Sequence, residues 1–578
     1  MYKKISLLIF GFLLLLGLLI HYRSQIRDQQ KAEEALQSGI MHLNQGKKYD
    51  AMGDFSYLTS RFIEKNNDNV GRIVASGMLK KADILMSIKD TDDALVIWEQ
   101  LSNRYQDTKD KKLRYYVAIA LFKRGELLMQ QEQYDNAMIT LAHLVSSFID
   151  DPNILVKRMV VQAMYYETHV LFKIKQIEPA LNINTQLLER FITNKDPEIR
   201  IYTATAIMDK INYRVNGKDW PNALNNINIF ISFFNEDKNP AIQEFLAQSL
   251  LYKANILHRV KHIDANYKKL LGDKNPQDEA LKVYDQLIAQ IQNQKANNYL
   301  RYYAQALLGK AQILREQNQL QQALKVSNQI ISEFSRTDDI DLQQSVLLAF
   351  LTKGEVLEAL KHYQDALTVY EQIRSQAGVL QTSSMRLVIM QTYLNTCDIL
   401  INLNQKQQAL DTLTKSIHIF QNDSGNTIYK KISEAYLKKA DLLTEKREFE
   451  QALSTYTSLI TAAHFKNSVE IRYSGALAIL KKADILRLLK RGEEIGQAYE
   501  QLVDFYKDDQ DISIKRLVAT GMYLHAKGLF EHNRGYTAIG TIKRLFEYYG
   551  NDRNDPEINK ILDQTEQLKK QLSSTITW

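Results

Sequence analysis

Small residues recur along this chain at a spacing of 43, and this periodicity limits its fold more than any other feature of the sequence. Residues 435–460 show the repeated pattern, in which one apolar helical stripe around Ala440 is followed by a second around Ala452. Because each stripe covers only one face of its helix, a single helix pair cannot bury its apolar surface alone. Such pairs must therefore stack against one another.

Two columns of mostly small residues keep this period through twelve units, which we call repeats 1 to 12. The column of the first helices contains Gly39, Ala82, Gly125, Thr168, Ile211, Ala254, Ala311, Gly354, Cys397, Ala440, Ala483 and Ala526. The column of the second helices contains Ala51, Ala94, Ala137, Ala180, Ala223, Ala280, Ala323, Ala366, Ala409, Ala452, Ile495 and Ala538. Small side chains let helix backbones approach closely, so both columns predict helix crossings.

The residues around the columns resemble the tetratricopeptide repeat (TPR). The two columns are 12 residues apart, and in several repeats an aromatic residue precedes the second column by three or follows it by four, as at Tyr134, Tyr363, Phe449, Phe55, Trp98, Tyr284, Tyr370 and Tyr456. The resemblance covers roughly residues 31 to 550, with a period nine longer than the usual 34. It implies an all-α fold, a right-handed TPR-like α-solenoid of about twelve helix-turn-helix repeats.

The N-terminal segment differs from the repeats. Residues 5–20 carry no charge and would span roughly 24 Å as a helix. We therefore expect a cytoplasmic tail at 1–4, a transmembrane signal anchor at 5–22 and a polar stalk at 23–30. Cleavage of this segment as a signal peptide is the competing interpretation, although no pair of small residues marks a cleavage site.

The repeats are expected to fill residues 31–549, followed by a capping helix within 550–578. Repeat 6 carries an insertion at about 258–276, which is either a tolerated turn or a protruding lip that contacts a partner. The basic residues that would form this lip are Arg259, Lys261, Lys268 and Lys269.

The sequence offers no catalytic residues, cofactor site or metal site. Repeats leave no span of 100 residues for a catalytic domain, and the common nucleotide, hydrolase and metalloprotease motifs are absent. His258 and His262 have helical spacing, but zinc takes three or four ligands. Cys397 lies in the small-residue column and is expected to pack as a small apolar side chain. We therefore expect a protein that is not an enzyme.

One column carries polar character, immediately after the small residues of the first helices. Its members are Asp83, Glu126, His169, Asn212, Asn255, Gln312, Glu355, Asp398, Asp441 and Asp484. The resemblance implies that this position faces the groove in which TPR proteins bind peptides. The alternative is a merely soluble face, on which Lys80, Lys123, Lys438 and Lys481 each neutralise the acid three residues later.

These observations favour a membrane-anchored, non-catalytic scaffold for protein or peptide partners in a bacterial cell envelope. It would be a single-pass protein of the bacterial inner membrane, with the repeats in the periplasm. The alternatives are a cleaved, soluble periplasmic or secreted binding protein or chaperone, and a recruiting subunit of a separate enzyme. Nucleic acid is not an expected partner, because the groove column is acidic and amide and a net charge of +7 is mild for 578 residues.

Overall fold

A computed structural model describes residues 2–260, 272, 274–294, 296–375, 382–423, 425–464 and 466–575, with side chains at 14–16, 18, 19 and from 21 onward. Every helix or strand within these ranges is an α-helix, which confirms the all-α prediction. Contacts divide the chain into an N-terminal unit, Met1–Val283, and a C-terminal unit, Tyr284–Trp578. Each unit is described by itself.

The N-terminal unit alternates first and second helices. Its first helices are α1 (Tyr2–Asn44), α3 (Asp68–Ser87), α5 (Lys111–Gln130), α7 (Ile154–Lys173), α9 (Pro197–Asn216) and α11 (Pro240–Arg259). Its second helices are α2 (Lys48–Phe62), α4 (Thr91–Tyr105), α6 (Tyr134–Phe148), α8 (Ile177–Phe191) and α10 (Trp220–Phe234). Helix α12 (Pro276–Ile291) contains the boundary between the units.

The C-terminal unit has the same alternation. Its first helices are α13 (Asn297–Glu316), α15 (Ile340–Ala359), α17 (Ser383–Asn402), α19 (Asn426–Glu445), α21 (Val469–Leu488) and α23 (Ile512–Glu531). Its second helices are α14 (Leu320–Phe334), α16 (Tyr363–Ser375), α18 (Lys406–Phe420), α20 (Phe449–His464), α22 (Gly492–Tyr506) and α24 (Gly535–Tyr549). Helix α25 (Pro556–Thr575) follows and packs against α23 and α24.

Within each unit, a first helix packs against its own second helix and against the first helix of the next repeat. The small-residue columns lie in these contacts. Ala82, Ala440 and Ala452 have no exposed surface. At Gly125 an added Cβ would lie 2.5 Å from the Leu141 side chain, and at Gly354 it would overlap the Tyr370 ring. The small residues are therefore required by close approach between helices.

Local signals fix where the first helices begin and end. Asn, Asp or Thr side chains cap their N-termini by accepting from backbone N–H groups, at Asn67, Asp110, Asn153, Asp196, Asn239, Asp339, Thr382 and Asp511. Two residues after the end of each first helix from α3 to α9, the chain has a residue of positive φ, such as Lys89 at 67°. The next N–H then bonds back to the helix, as Asp90 does to the Leu85 carbonyl at 2.9 Å. This geometry makes the turn to the second helix tight.

The expectation of a single-pass membrane protein is wrong. Among the described residues, no helix has the length and apolarity needed to cross a membrane. The uncharged run of residues 5–20 is short, and α1 continues without a break through His21 and Arg23. The predicted location in the bacterial inner membrane, with the repeats in the periplasm, is therefore wrong as well.

Residues 23–30, predicted to form a polar stalk, belong to the same helix as the first repeat. Asp28 pairs with Lys65 at 2.8 Å, and Gln29 accepts a hydrogen bond from Asn69 at 3.3 Å. Further along, Ala32 is fully buried. Contact with α3 and with the turn before it thus begins four residues before Ala32.

The insertion lies mostly outside the described residues. Arg259 is the last residue of α11, whereas Lys261, Lys268 and Lys269 lie outside the described residues.

The predicted capping segment contains helix α25, in which Ile558, Leu562 and Leu572 are completely buried.

Candidate protein-interaction surface

The ten polar residues predicted for the groove all lie on first helices, one on each from α3 to α21. None is buried: Asp83, His169 and Asp484 are exposed, and the others are partly exposed. We call the surface that carries them the first-helix face. Their surroundings differ between the two units.

In the C-terminal unit, four acidic members of this face are paired with cations. Asp441 contacts Lys481 Nζ at 2.9 Å and Asp484 contacts Arg487 at 3.0 Å. Asp398 pairs with Lys438, and Glu355 pairs with Arg315. Gln312, which is uncharged, is partly exposed on α13.

The lysines pair with a different acid from the one expected. The sequence predicts that Lys438 and Lys481 neutralise the acid three residues later on the same helix. In the structure each lysine instead reaches back 40 residues, to the acid of the preceding first helix. Lys123 does the same with Asp83 at 2.7 Å. The prediction of neutralisation within one helix is therefore wrong for these three lysines.

In the N-terminal unit this pattern stops after Asp83. The Tyr166 hydroxyl, in place of a lysine, donates to Glu126 at 3.3 Å. His169 is exposed, and the Oδ1 atom of Asn212 is buried without a hydrogen-bond partner in the described structure. Asn255 is partly exposed on α11.

Asp209 places a negative charge where several other repeats carry a lysine. It stands two residues before the small column, where Lys123, Lys438 and Lys481 stand in their repeats. Burial raises the pKa of Asp209 to about 6, and no ion pair to its carboxylate is present among the described residues. Its neighbour Lys210 donates to the Thr185 hydroxyl at 2.9 Å instead.

Glu167 on α7 is a second acid without a cation. Its side chain is buried, its Oε1 atom has no hydrogen-bond partner in the described structure, and burial raises its pKa to about 7. The neighbouring first helices carry Arg124 and Lys210 at this position. Each of α7 and α9 thus carries one acid whose pKa is raised by burial and that has no ion pair in the described structure.

Four aromatic side chains lie beside these acids, and we call them the tyrosine patch: Phe122, Tyr165, Tyr166 and Tyr202. The Phe122 and Tyr166 rings stack with centroids 5.8 Å apart, and the Tyr165 and Tyr202 centroids are 5.6 Å apart. All four are partly exposed. Burial raises the pKa of Tyr165, and the nearby charge of Asp209 raises it further. The patch and Asp209 therefore form one surface of neutral hydroxyls beside a carboxylate.

Sequence reasoning missed the tyrosine patch and Asp209. The predicted groove residues follow the small column of the first helices by one residue. Tyr166 and Asp209 instead precede that small column by two residues. The position two residues before the small column is lysine at 80, 123, 438 and 481, aspartate only at 209, and in the remaining repeats Gln37, Tyr166, Tyr252, Gly309, Thr352, Asn395 and Leu524. This substitution pattern was the available signal.

A second set of ion pairs lies near the N-termini of the first helices. Arg114 pairs with Asp151 at 2.9 Å and its guanidinium lies 4.6 Å from the Phe148 ring centroid. Arg200 repeats this arrangement with Asp237 and Phe234, and Arg386 with Asp423 and Phe420. These arginines hold a first helix to the end of its own second helix, which assigns them a structural role.

The residues considered for chemistry do not assemble into a site. No group of three metal-ligating side chains occurs among the described residues, and His262 lies outside them. Cys397 is fully buried, as expected for a packed small residue, and burial raises the pKa of its thiol to about 12.

Comparison with known proteins supports the repeat architecture. Residues 305–337, in α13 and α14, match the family model described as tetratricopeptide repeat. The comparison with curated proteins gave no match. The chain is thus a helical repeat protein with a TPR match within repeat 7.

The comparison with solved structures gave matches of low structural similarity. A chain from a study of a phosphorylation switch in the interaction between cadherin and β-catenin is 10% identical, covering 94% of this chain and 96% of that one, with a TM-score of 0.44. Yeast Tom70 is 13% identical, with 94% and 96% covered and a TM-score of 0.33. A tetratricopeptide repeat protein from Parabacteroides merdae is 11% identical, with 55% and 99% covered and a TM-score of 0.25. These low TM-scores carry no argument about the site.

Proposed function

We propose that this chain is a non-catalytic protein-binding module, and that a partner binds the first-helix face of the N-terminal unit at the tyrosine patch. One observation carries the proposal. The acids of this face in the C-terminal unit are paired with cations of the same chain, whereas Asp209 beside the patch is not. A face that satisfies its own charges gains little from a partner.

The patch has the composition of an interaction surface. Tyrosine is enriched among the residues that dominate binding energy, because its ring buries a large apolar area and its hydroxyl forms hydrogen bonds. Tyr165 and Tyr202 hold their rings together across two helices, so little side-chain freedom would be lost on binding. A stacked-helix architecture supports this role because it presents extended surface to partners.

Selection from a random peptide library on phage, with the full chain as bait, tests the proposal. We expect enriched peptides whose affinity falls by roughly thirtyfold or more in a Tyr165→Ala/Tyr202→Ala double variant, since truncating dominant interface residues costs about 2 kcal/mol or more. The matched control is Tyr436→Ala/Tyr473→Ala, which removes the partly exposed Tyr436 from α19 and the exposed Tyr473 from α21.

Thermal unfolding of both double variants separates lost binding from lost structure. The proposal is contradicted if no peptide is enriched, or if the control variant loses the selected peptides to the same extent. Binding confined to the C-terminal unit would also contradict it.

A further inference from the structure

No ion pair to the Asp209 carboxylate is present within the ranges that the structure describes. On its own helix, Lys210 bonds to Thr185, and Arg214 pairs with Asp219 at 2.8 Å. On α7, the adjacent ionisable groups are Glu167 and the exposed His169. A carboxylate that is largely removed from water and lacks a cation is energetically unfavourable in its ionised form.

Equivalent positions show what would balance it. At Lys123, Lys438 and Lys481, each two residues before the small column, the ammonium group reaches the acid of the preceding first helix. On α9 this position is Asp209, so this part of the first-helix face carries an anion where those repeats carry a cation. Because no ion pair to Asp209 is present in the described part of the chain, its charge is open to a cation from another molecule.

The tyrosine rings add a second attraction for the same kind of group. A cation near an aromatic ring is attracted by the negative face of the π-system. This chain uses the interaction internally, with Lys466 Nζ 4.4 Å from the Tyr429 centroid and the Arg374 guanidinium 5.1 Å from the Tyr393 centroid. In the patch, Tyr165 lies near the Asp209 carboxylate, and its ring contacts that of Tyr202.

We propose that the partner is a cationic protein segment, and that one of its lysine or arginine side chains binds Asp209 against the rings of Tyr165 and Tyr202. This inference rests on the proposed function and specifies the partner class. It extends to Glu126, whose carboxylate accepts only the Tyr166 hydroxyl among the contacts of the described structure.

Fluorescence anisotropy with labelled nona-arginine and nona-glutamate peptides tests the inference on the full chain, at a salt concentration of about 0.15 M, where long-range attraction is screened. We expect nona-arginine alone to bind. Asp209→Asn should weaken binding about tenfold, and Asp209→Lys, which restores the residue of other repeats, should weaken it further. The matched control is Asp484→Asn, which removes one exposed acid from the C-terminal unit.

The outcomes separate the two proposals. Equal binding by Asp209→Asn and wild type, or equal loss in Asp484→Asn, overturns the cationic-partner inference. If phage-selected peptides depend on Tyr165 and Tyr202 but lack basic residues, the inference fails while the proposed function stands. If neither nona-arginine nor any selected peptide depends on the patch, both fail.

Discussion

The first-helix face has two different electrostatic characters in one repeat architecture. In the C-terminal unit, Asp398 and Asp441 each receive a lysine from the next first helix, so charges alternate and cancel. In the N-terminal unit, Tyr166 and Asp209 stand where those lysines would be. The helices pack in the same manner in both units, so this difference does not arise from the fold.

The comparison shows that a repeat can keep its packing residues while its surface positions change role. The small columns are buried in both units because helix crossings require them. The position two residues before the small column is at least partly exposed at Lys123, Tyr166, Asp209, Lys438 and Lys481, and there it carries lysine, tyrosine or aspartate. We therefore infer specialisation of α7 and α9, which carry tyrosine and aspartate where α3, α5, α19 and α21 carry lysine.

The largest expected effect concerns the buried acid Glu167. Its pKa is about 7 in the folded chain against 4.5 ordinarily, so the folded state holds a proton that the unfolded state has released between these values. Stability therefore falls as pH rises from about 4.5 to 7. Glu167→Gln removes this penalty and should stabilise the protein by about 3 kcal/mol at pH 8, with little gain at pH 4.

Urea unfolding at both pH values measures the effect. Glu355→Gln is the control, because Glu355 is paired with Arg315 and should give no such gain. An equal gain at pH 4 and pH 8 would show that burial of the charge is not the cause.

Binding of nona-arginine should depend on pH. The pKa of Asp209 is about 6, so at pH 5 roughly a tenth of its carboxylate is ionised, and affinity should be about tenfold weaker than at pH 7.5. Arginine keeps its charge throughout this range. Anisotropy titrations of wild type and Asp209→Asn measure it, with His169→Gln, a change at an exposed residue of the same face, as a further control. A pH-independent affinity in wild type would exclude Asp209 as the contact.

Lys481→Met should make the C-terminal unit more like the N-terminal one. It leaves Asp441 without its ammonium partner, which should cost about 1 kcal/mol of stability because the pair is partly exposed. The variant should also gain weak binding of nona-arginine. Lys527→Met is the control, because the Lys527 ammonium group is 3.9 Å from the Glu531 carboxylate. This variant should neither lose stability nor gain binding of nona-arginine. Unchanged peptide binding in Lys481→Met would argue against charge as the distinguishing feature.

The smallest effect is expected at Asp83, which is exposed and paired with Lys123. Asp83→Asn should change the free energy of unfolding by less than about 0.5 kcal/mol and leave peptide binding intact. Thermal melting and anisotropy measure both quantities. Loss of binding comparable to that of Asp209→Asn would place the site elsewhere on the N-terminal unit.

Much of the local structure could be predicted from the sequence. The periodic columns identified the residues at the crossings, because close helix approach tolerates only small side chains at Ala82 or Gly125. Four of the seven prolines are the first residue of a helix and two lie in a first turn, while Pro152 precedes α7 by two residues. The prediction of a membrane anchor was wrong, because the uncharged run has only 16 residues and no helix among the described residues is long and apolar enough to cross a membrane.

Period, helix pairing and the buried columns were determined by the sequence alone, since these depend on apolar spacing and side-chain size along one helix. Partner choice was decided only by the tertiary structure: Lys438 could reach Asp441 on its own helix or Asp398 on the preceding one, and the packed helices favour the second. The burial of Asp209 and Glu167 also depends on neighbouring helices. Spacing within one helix cannot encode how closely the next helix packs, so the charges of the surface had to be read from the assembled structure.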